Sequence, residues 1–280
     1  MYDDFGDDDY GSRRRRGAGL TSWLASLSAI ALVLVGVVVA VWFAVGDAEP
    51  RRGDDLCPLG ATGPANTLYV LLVDRTDPLD DQQLIDVRQE AQGLVDTMEK
   101  DDRLTVFAVN PDTGDRPTVL ASFCNPVETP HQRWELVLEE LFGNRQERLE
   151  KFAEVQERFD RDIGALGHGA SVRTTSLLRD IAAISNYRYF SRYERVELIV
   201  YSDMLENSAL LSQYGAYSDF ATFRERRGTE FRVPNLSNVR VRILYRYDDR
   251  YTRHQTETHR QFWTDYFDAA DVEQLSFEDT

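Results

Sequence analysis

Asp74, Thr76 and Asp77 follow the apolar run at 67–73, and Ser202 and Asp203 follow a second run at 196–201. Carboxylates beside hydroxyls are hard oxygen donors. A cation such as Mg²⁺ takes them in near-octahedral geometry and keeps several waters, so a few protein ligands suffice. A third source of hydroxyl oxygen, Thr174-Thr175-Ser176, stands just before a helical spacing that starts at Leu177. Each stretch also has a plainer reading. Asp, Thr and Ser after a strand commonly cap the next helix, and Asp203 can accept hydrogen bonds from loop amides without any metal.

Other chemistries are poorly supplied. The four histidines, His131, His168, His254 and His259, are scattered and form no His-x-x-x-His or His-Glu-x-x-His spacing. There is no Gly-x-Ser-x-Gly elbow and no phosphate-binding glycine loop. Thr76 stands where an aspartyl phosphotransferase would need its second acid. The expectation is a binding module rather than an enzyme, with a hydrolase as the weakest alternative.

A mostly parallel sheet would bring the three stretches together, because open α/β sheets gather ligands at the carboxyl ends of their strands. The elements alternate as such a sheet requires. Behind the strand at 67–74, Leu84, Val87, Ala91, Leu94, Val95 and Met98 recur at helical spacing, with Asp80-Asp81 at the N-terminus where acids suit the dipole. Strands at 103–109 and 117–123 flank the turn residues 110–115, which predicts an antiparallel hairpin. A long helical region covers 129–163, and a helix at 175–188 precedes the strand at 196–202. A strand at 239–245 alternates apolar with basic residues, as if one face were exposed. A helix at 255–269 and a strand at 272–277 finish the chain. The predicted class is α/β, a doubly wound, mostly parallel sheet with one antiparallel edge hairpin. Two further features have competing readings. Leu149, Phe152, Val155, Phe159 and Ile163 form a stripe that packs on its own domain or on a partner helix. The cluster Tyr187-Arg188-Tyr189-Phe190-Ser191-Arg192-Tyr193 suits an interface or ordinary packing.

The acid-and-hydroxyl loops resemble the metal-ion-dependent adhesion site of von Willebrand factor A (VWA) domains, with its Asp-x-Ser-x-Ser loop, a Thr before a helix, and Ser-Asp. The order of elements extends the resemblance over 66–277. It implies a VWA-like, Rossmann-like fold. It also implies a site in which Asp74, Thr76, Thr175 and Asp203 hold Mg²⁺ or another divalent cation. One coordination position is then left for a carboxylate of a partner protein. Thr174 competes with Thr175 for the middle position. Pro78 occupies the place of the second hydroxyl and removes one ligand, for which the adjacent Asp77 is a substitute. A working site and a degenerate site that keeps only the fold both remain open.

Residues 20–45 contain no charged residue, with Trp23 and Trp42-Phe43 near the two ends. As a helix they reach roughly 39 Å, more than a hydrocarbon core of about 30 Å. The expectation is a single transmembrane helix; a cleaved secretory signal is the alternative. Arg13–Arg16 put the N-terminus in the cytoplasm. The domains are then a disordered tail at 1–19, the span at 20–45, an extracytoplasmic stalk at 46–66 and the VWA-like domain at 67–280. That arrangement is a single-pass protein of the cytoplasmic membrane whose domain faces the periplasm or its equivalent. Net charge is −16, which argues against nucleic-acid binding and against docking on anionic lipid. Cys57 and Cys124 are the only cysteines, both beyond the span, where they form a disulfide or remain two buried thiols. The expected partners are proteins of a membrane-associated complex. The competing role is a structural or assembly component of an envelope complex with a vestigial cation loop.

Overall fold

The apolar run that leads to Asp74 forms β1 (Ala65–Val73), the strand about which the sheet is built. The computed structural model describes residues 30–37, 39, 51–59, 65–109, 116–127, 145–168, 174–215 and 219–280. The chain divides into two units, 1–50 and 51–280. In the first, residues 30–37 are helical; the tail at 1–19 and most of the predicted span at 20–45 lie outside the described residues. Among the described residues no helix is long and apolar enough to cross a membrane.

The second unit is a six-stranded sheet with helices on both faces. Beside β1 lie β2 (Arg103–Ala108), β3 (Thr118–Cys124), β4 (Tyr193–Ser202), β5 (Val239–Tyr245) and β6 (Gln274–Asp279), in the order β3-β2-β1-β4-β5-β6. Every neighbouring pair is parallel except β2 and β3, which form the expected antiparallel edge pair. The turn that joins them, 110–115, and the start of the long helical region lie outside the described residues.

The two-residue period of each strand sorts its side chains to two cores. From β1, Leu68, Val70 and Leu72 enter one core, while Leu71 and Val73 enter the other. The first core is closed by α3 (Leu177–Ser185), α4 (Phe220–Arg227) and α5 (Glu257–Ala269). The second is closed by α1 (Asp81–Thr97) and α2 (Arg145–Gly164). Burial on both faces is why the strands read as continuous apolar runs.

The α2 stripe packs on its own domain. Phe159 and Ile163 are buried, Phe152 and Val155 are partly buried, and Phe123 meets the rings of Phe152 and Phe159 at 6.1 and 5.4 Å. The basic face of β5 is partly exposed, as expected. Arg240 and Arg242 are half-buried because acids meet them: Arg240 Nη2 donates to Glu273 at 2.8 Å, and Arg242 pairs with Glu90 of α1 and with Glu278.

Antiparallel pairing aligns Cys124 with Arg103, at the amino end of β2. Residues 51–59 fold against this end, with the Cys124 amide donating to Asp55 O at 3.0 Å. Cys57 and Cys124 form a disulfide with Cα atoms 4.9 Å apart. The bridge therefore braces the edge opposite to the one carrying Asp74. It closes a segment of 67 residues in sequence separation. In the chain-entropy model a loop of that size stabilises by about 4 kcal/mol. Replacing both cysteines by serine should lower the unfolding free energy by about that amount in urea denaturation. A loss below roughly 1 kcal/mol would mean that the bridge does not constrain the unfolded chain.

Candidate functional site

The strand order reverses between β1 and β4. β1 leads to β2 on one side, and β4 begins the other half of the sheet. At such a switch point the loops leaving two adjacent strands diverge and open a crevice at their carboxyl ends. Asp74 follows β1 and Asp203 follows β4. Sheet hydrogen bonding continues past the ends of β1 and β5, with Asp74 N donating to Tyr201 O at 2.9 Å and Arg246 N to Ser202 O at 3.0 Å, both at the end of β4.

The three predicted loops meet here. Asp74 Oδ1 accepts from Thr76 N at 3.0 Å and from Thr76 Oγ1 at 2.7 Å. Thr175 Oγ1 donates to Thr76 Oγ1 at 3.0 Å, across ninety-nine positions of sequence. Ser202 Oγ donates to Asp74 Oδ2 at 2.8 Å. Asp203 Oδ1 accepts from Leu205 N at 2.9 Å, and Asp74 acts on its carboxylate electrostatically. Of the two candidate threonines, Thr175 is buried in this cluster and Thr174 is exposed. Asp77 is held at the rim by Arg250 Nη2 at 3.2 Å, and Pro78 is exposed.

Helix capping does not account for these residues. Asp80 caps α1: its Oδ1 accepts from Gln83 N at 2.8 Å, and Gln83 Oε1 returns the bond to Asp80 N at 3.0 Å. Ser176 stands at the N-cap of α3 without a side-chain capping bond; Glu206 Oε2 instead accepts from Leu178 N at 3.0 Å. Asp74, Thr76 and Thr175 therefore turn toward one another rather than to a helix end.

Two further acids belong to the cluster, and neither stood out in the sequence. Asp180 of α3 is 2 % exposed, and Glu206, after β4, is 0 % exposed. Among the described residues Asp180 Oδ2 and Glu206 Oε1 have no hydrogen-bond partner. The sequence held a signal for Asp180: it lies three residues after Leu177 and four before Ile184, on the apolar face of its helix. Glu206 carried no such signal, since an acid in a loop after a strand reads as solvated.

Burial dominates the electrostatics. The Asp180 carboxyl is pushed up to about 8, first by burial and then by Glu206 and Asp74. Burial also lifts Glu206 to about 7, and burial followed by Asp74 lifts Asp203 to about 7, with Arg246 opposing. Among the described residues no group of three or more Asp, Glu, His or Cys has the spacing of a metal cage. The donor set instead mixes two acids with hydroxyls, all hard oxygens, which fits an ion that keeps most of its waters. Asp180 and Glu206 thus hold their protons to higher pH than free carboxyls do, and a cation at the cluster would favour their ionised forms.

The loop after β4 is fixed from α5. Met204 sits at φ 61°, a left-handed conformation uncommon for a side chain of its kind. Its amide donates to Ser202 Oγ at 2.8 Å, and its carbonyl accepts from Trp263 Nε1 at 2.8 Å. His259 Nε2 meets the same carbonyl at 3.0 Å, and Tyr245 Oη meets Nδ1 at 2.8 Å. A carbonyl only accepts, so His259 carries its proton on Nε2 and takes the tyrosine hydrogen on Nδ1. Burial lowers its pKa to about 4 and keeps the ring neutral. His259 is thus a packing residue of the site's support. No family model matches the chain, and no curated protein matches it.

A carboxyl whose folded pKa exceeds its unfolded value keeps its proton in the folded state. Its stabilising contribution is lost as pH rises from the unfolded value toward the folded one. For Asp180 that window runs from 3.8 to about 8. Asp180→Asn preserves shape and removes the charge. Thermal scans should show the variant matching the parent near pH 4 and melting higher at pH 8, by about 2–4 °C per kcal/mol recovered. An equal shift at both pH values would rule out charge burial as the cause.

Proposed function

We propose that this chain is a membrane-anchored, VWA-like binding module. In this reading, Asp74, Thr76, Thr175 and Asp203 hold a divalent cation, and the cation takes a carboxylate of a protein partner. The observation that carries it is the hydrogen-bonded chain Thr175–Thr76–Asp74–Ser202, which joins three loops at the switch point of the sheet. The uncharged stretch at 20–45 supports the anchor, and the four arginines before it support a cytoplasmic N-terminus. The domain then lies outside the cytoplasm, an oxidising setting that suits the disulfide. The work proposed is capture rather than turnover. The ion would bind Asp74 and Asp203 directly and the hydroxyls of Thr76 and Thr175, and would supply a Lewis-acidic position for a ligand carboxylate.

A second reading has its own support. Both oxygens of Asp74 are already satisfied by Thr76 and Ser202, and Pro78 offers no hydroxyl. A self-satisfied cluster of this kind suits a structural or assembly component of an envelope complex.

Calorimetric titration of the full chain in detergent with Mg²⁺, Mn²⁺ and Ca²⁺ separates the two. The first reading expects saturable binding that weakens at least about tenfold, or 1.4 kcal/mol, in Asp74→Ala and in Asp203→Ala. It also expects Pro78→Ser to tighten binding, because that change restores a hydroxyl at an exposed position. A parent protein that binds none of the three ions would leave the structural reading standing.

A further inference from the structure

On the face of the second core, α2 packs against β3, with Phe123 buried against Phe152 and Phe159. On the face of the first core, α3, α4 and α5 pack over β1, β4 and β5, and a groove of about 900 Å³ lies between the β2–β3 edge and α3. This volume falls within the range of about 300–1,000 Å³ usual for ligand sites. Its floor is apolar: Phe107 and Val119 from the sheet, and Tyr187 after α3, whose ring meets Phe107 edge-on at 5.3 Å. Val119 is 41 % exposed, a large apolar side chain left open in the sheet.

The walls are basic. Arg116, Arg179, Arg188 and Arg232 line the groove with one acid, Glu230, and that carboxylate is engaged by Arg227 Nη1 at 2.8 Å. Among the described residues Arg116, Arg188 and Arg232 enter no ion pair. Arg188 stacks on the Tyr189 ring at 4.4 Å, which fixes the guanidinium plane while its N–H edge stays available. The concentration of positive charge is pronounced in a chain whose net charge is −16. Beyond about 8 Å that negative field is screened at physiological ionic strength, so a ligand in the groove meets chiefly the arginines.

We infer that this groove binds an acidic peptide segment of a partner protein, with an apolar or aromatic side chain on the Phe107–Val119–Tyr187 floor and flanking carboxylates on Arg116, Arg188 and Arg232. Guanidinium forks match carboxylates in bidentate geometry, and an apolar floor requires a ligand that is not charged throughout. Among the described residues β3 is the edge strand and pairs with β2 alone, which suits an extended segment lying beside it. The proposal does not depend on a cation at Asp74, since no groove residue belongs to that cluster.

Fluorescence anisotropy on the full chain in detergent tests it, with a labelled Glu-Asp-Leu-Tyr-Glu-Asp peptide as probe. Lys-Arg-Leu-Tyr-Lys-Arg and Glu-Asp-Gly-Gly-Glu-Asp are the peptide controls. The expected result is saturable binding of the first peptide, at least about tenfold tighter than either control. Arg188→Glu combined with Arg232→Glu should weaken it at least about tenfold, as should Arg116→Glu from the opposite wall. Arg158→Glu, exposed on α2 across the sheet, should leave it unchanged. Equal binding of the basic peptide would overturn the proposal, as would insensitivity to both groove variants. Phosphatidylglycerol vesicles form the last arm: binding to them, lost in the groove variants, with no binding of the acidic peptide, would assign the groove to lipid and overturn it as well.

Discussion

The burial of the Asp74 carboxylate is the constraint on which the carboxyl edge of this sheet depends. A buried carboxylate must have its lone pairs satisfied or give up its charge. Asp74 accepts from its own loop through Thr76 and from the end of β4 through Ser202. Thr76 in turn receives the hydroxyl of Thr175, at the entry to α3. One side chain thereby fixes the separation of three loops that are distant in sequence. None of the three needs an ion to stay together, which is why the cluster can serve as a framework even before any ligand is considered.

The support beneath this edge comes from aromatic packing of an unusual density on α5. Phe262, Trp263, Tyr266 and Phe267 are all buried against β4 and β5, with Tyr266 and Phe267 at 4.9 Å and Trp263 and Tyr266 at 5.5 Å. Rings of this size leave few alternative arrangements. The indole of Trp263 and the imidazole of His259 can therefore hold the Met204 carbonyl and keep the backbone of that loop in its left-handed turn. Gln255 extends the support, donating to Arg246 O at 2.7 Å. The loop that presents Asp203 is thus positioned from a helix more than fifty residues further along the chain.

Most of the sheet was legible from its residues, and the reasons are physical. Strands buried on both faces are mostly apolar, so the runs in β1, β2 and the second half of β4 announce themselves, and the turn residues at 110–115 announce an antiparallel partner. β5 showed its alternation in sequence, but not that Arg240 and Arg242 are met by acids distant in sequence, Glu90 of α1, Glu273 just before β6 and Glu278 within it. α4 had no readable boundaries, since its eight residues bury only Phe220 and Phe223. At the site, hydroxyls beside acids at strand ends marked Asp74, Thr76, Thr175 and Asp203. Asp180 was missed although it lies on the apolar face of its helix, and Glu206 was missed because an acid in a loop after a strand carries no sign of the packing that buries it.

α3 lies between the acid cluster and the arginine-lined groove. Its first turn points unsatisfied amides at the acid cluster, where the Leu178 N–H reaches Glu206, and the positive end of its dipole partly offsets the charge gathered there. Its other side carries Ala182 and Ala183 into the groove wall, beside Arg179. Leu177, Leu178, Ile181 and Ile184 lock the helix into the core between them. A nine-residue helix held so closely moves as one body if it moves at all. Asp180 and the groove residues Arg179, Ala182 and Ala183 thus sit on one short helix.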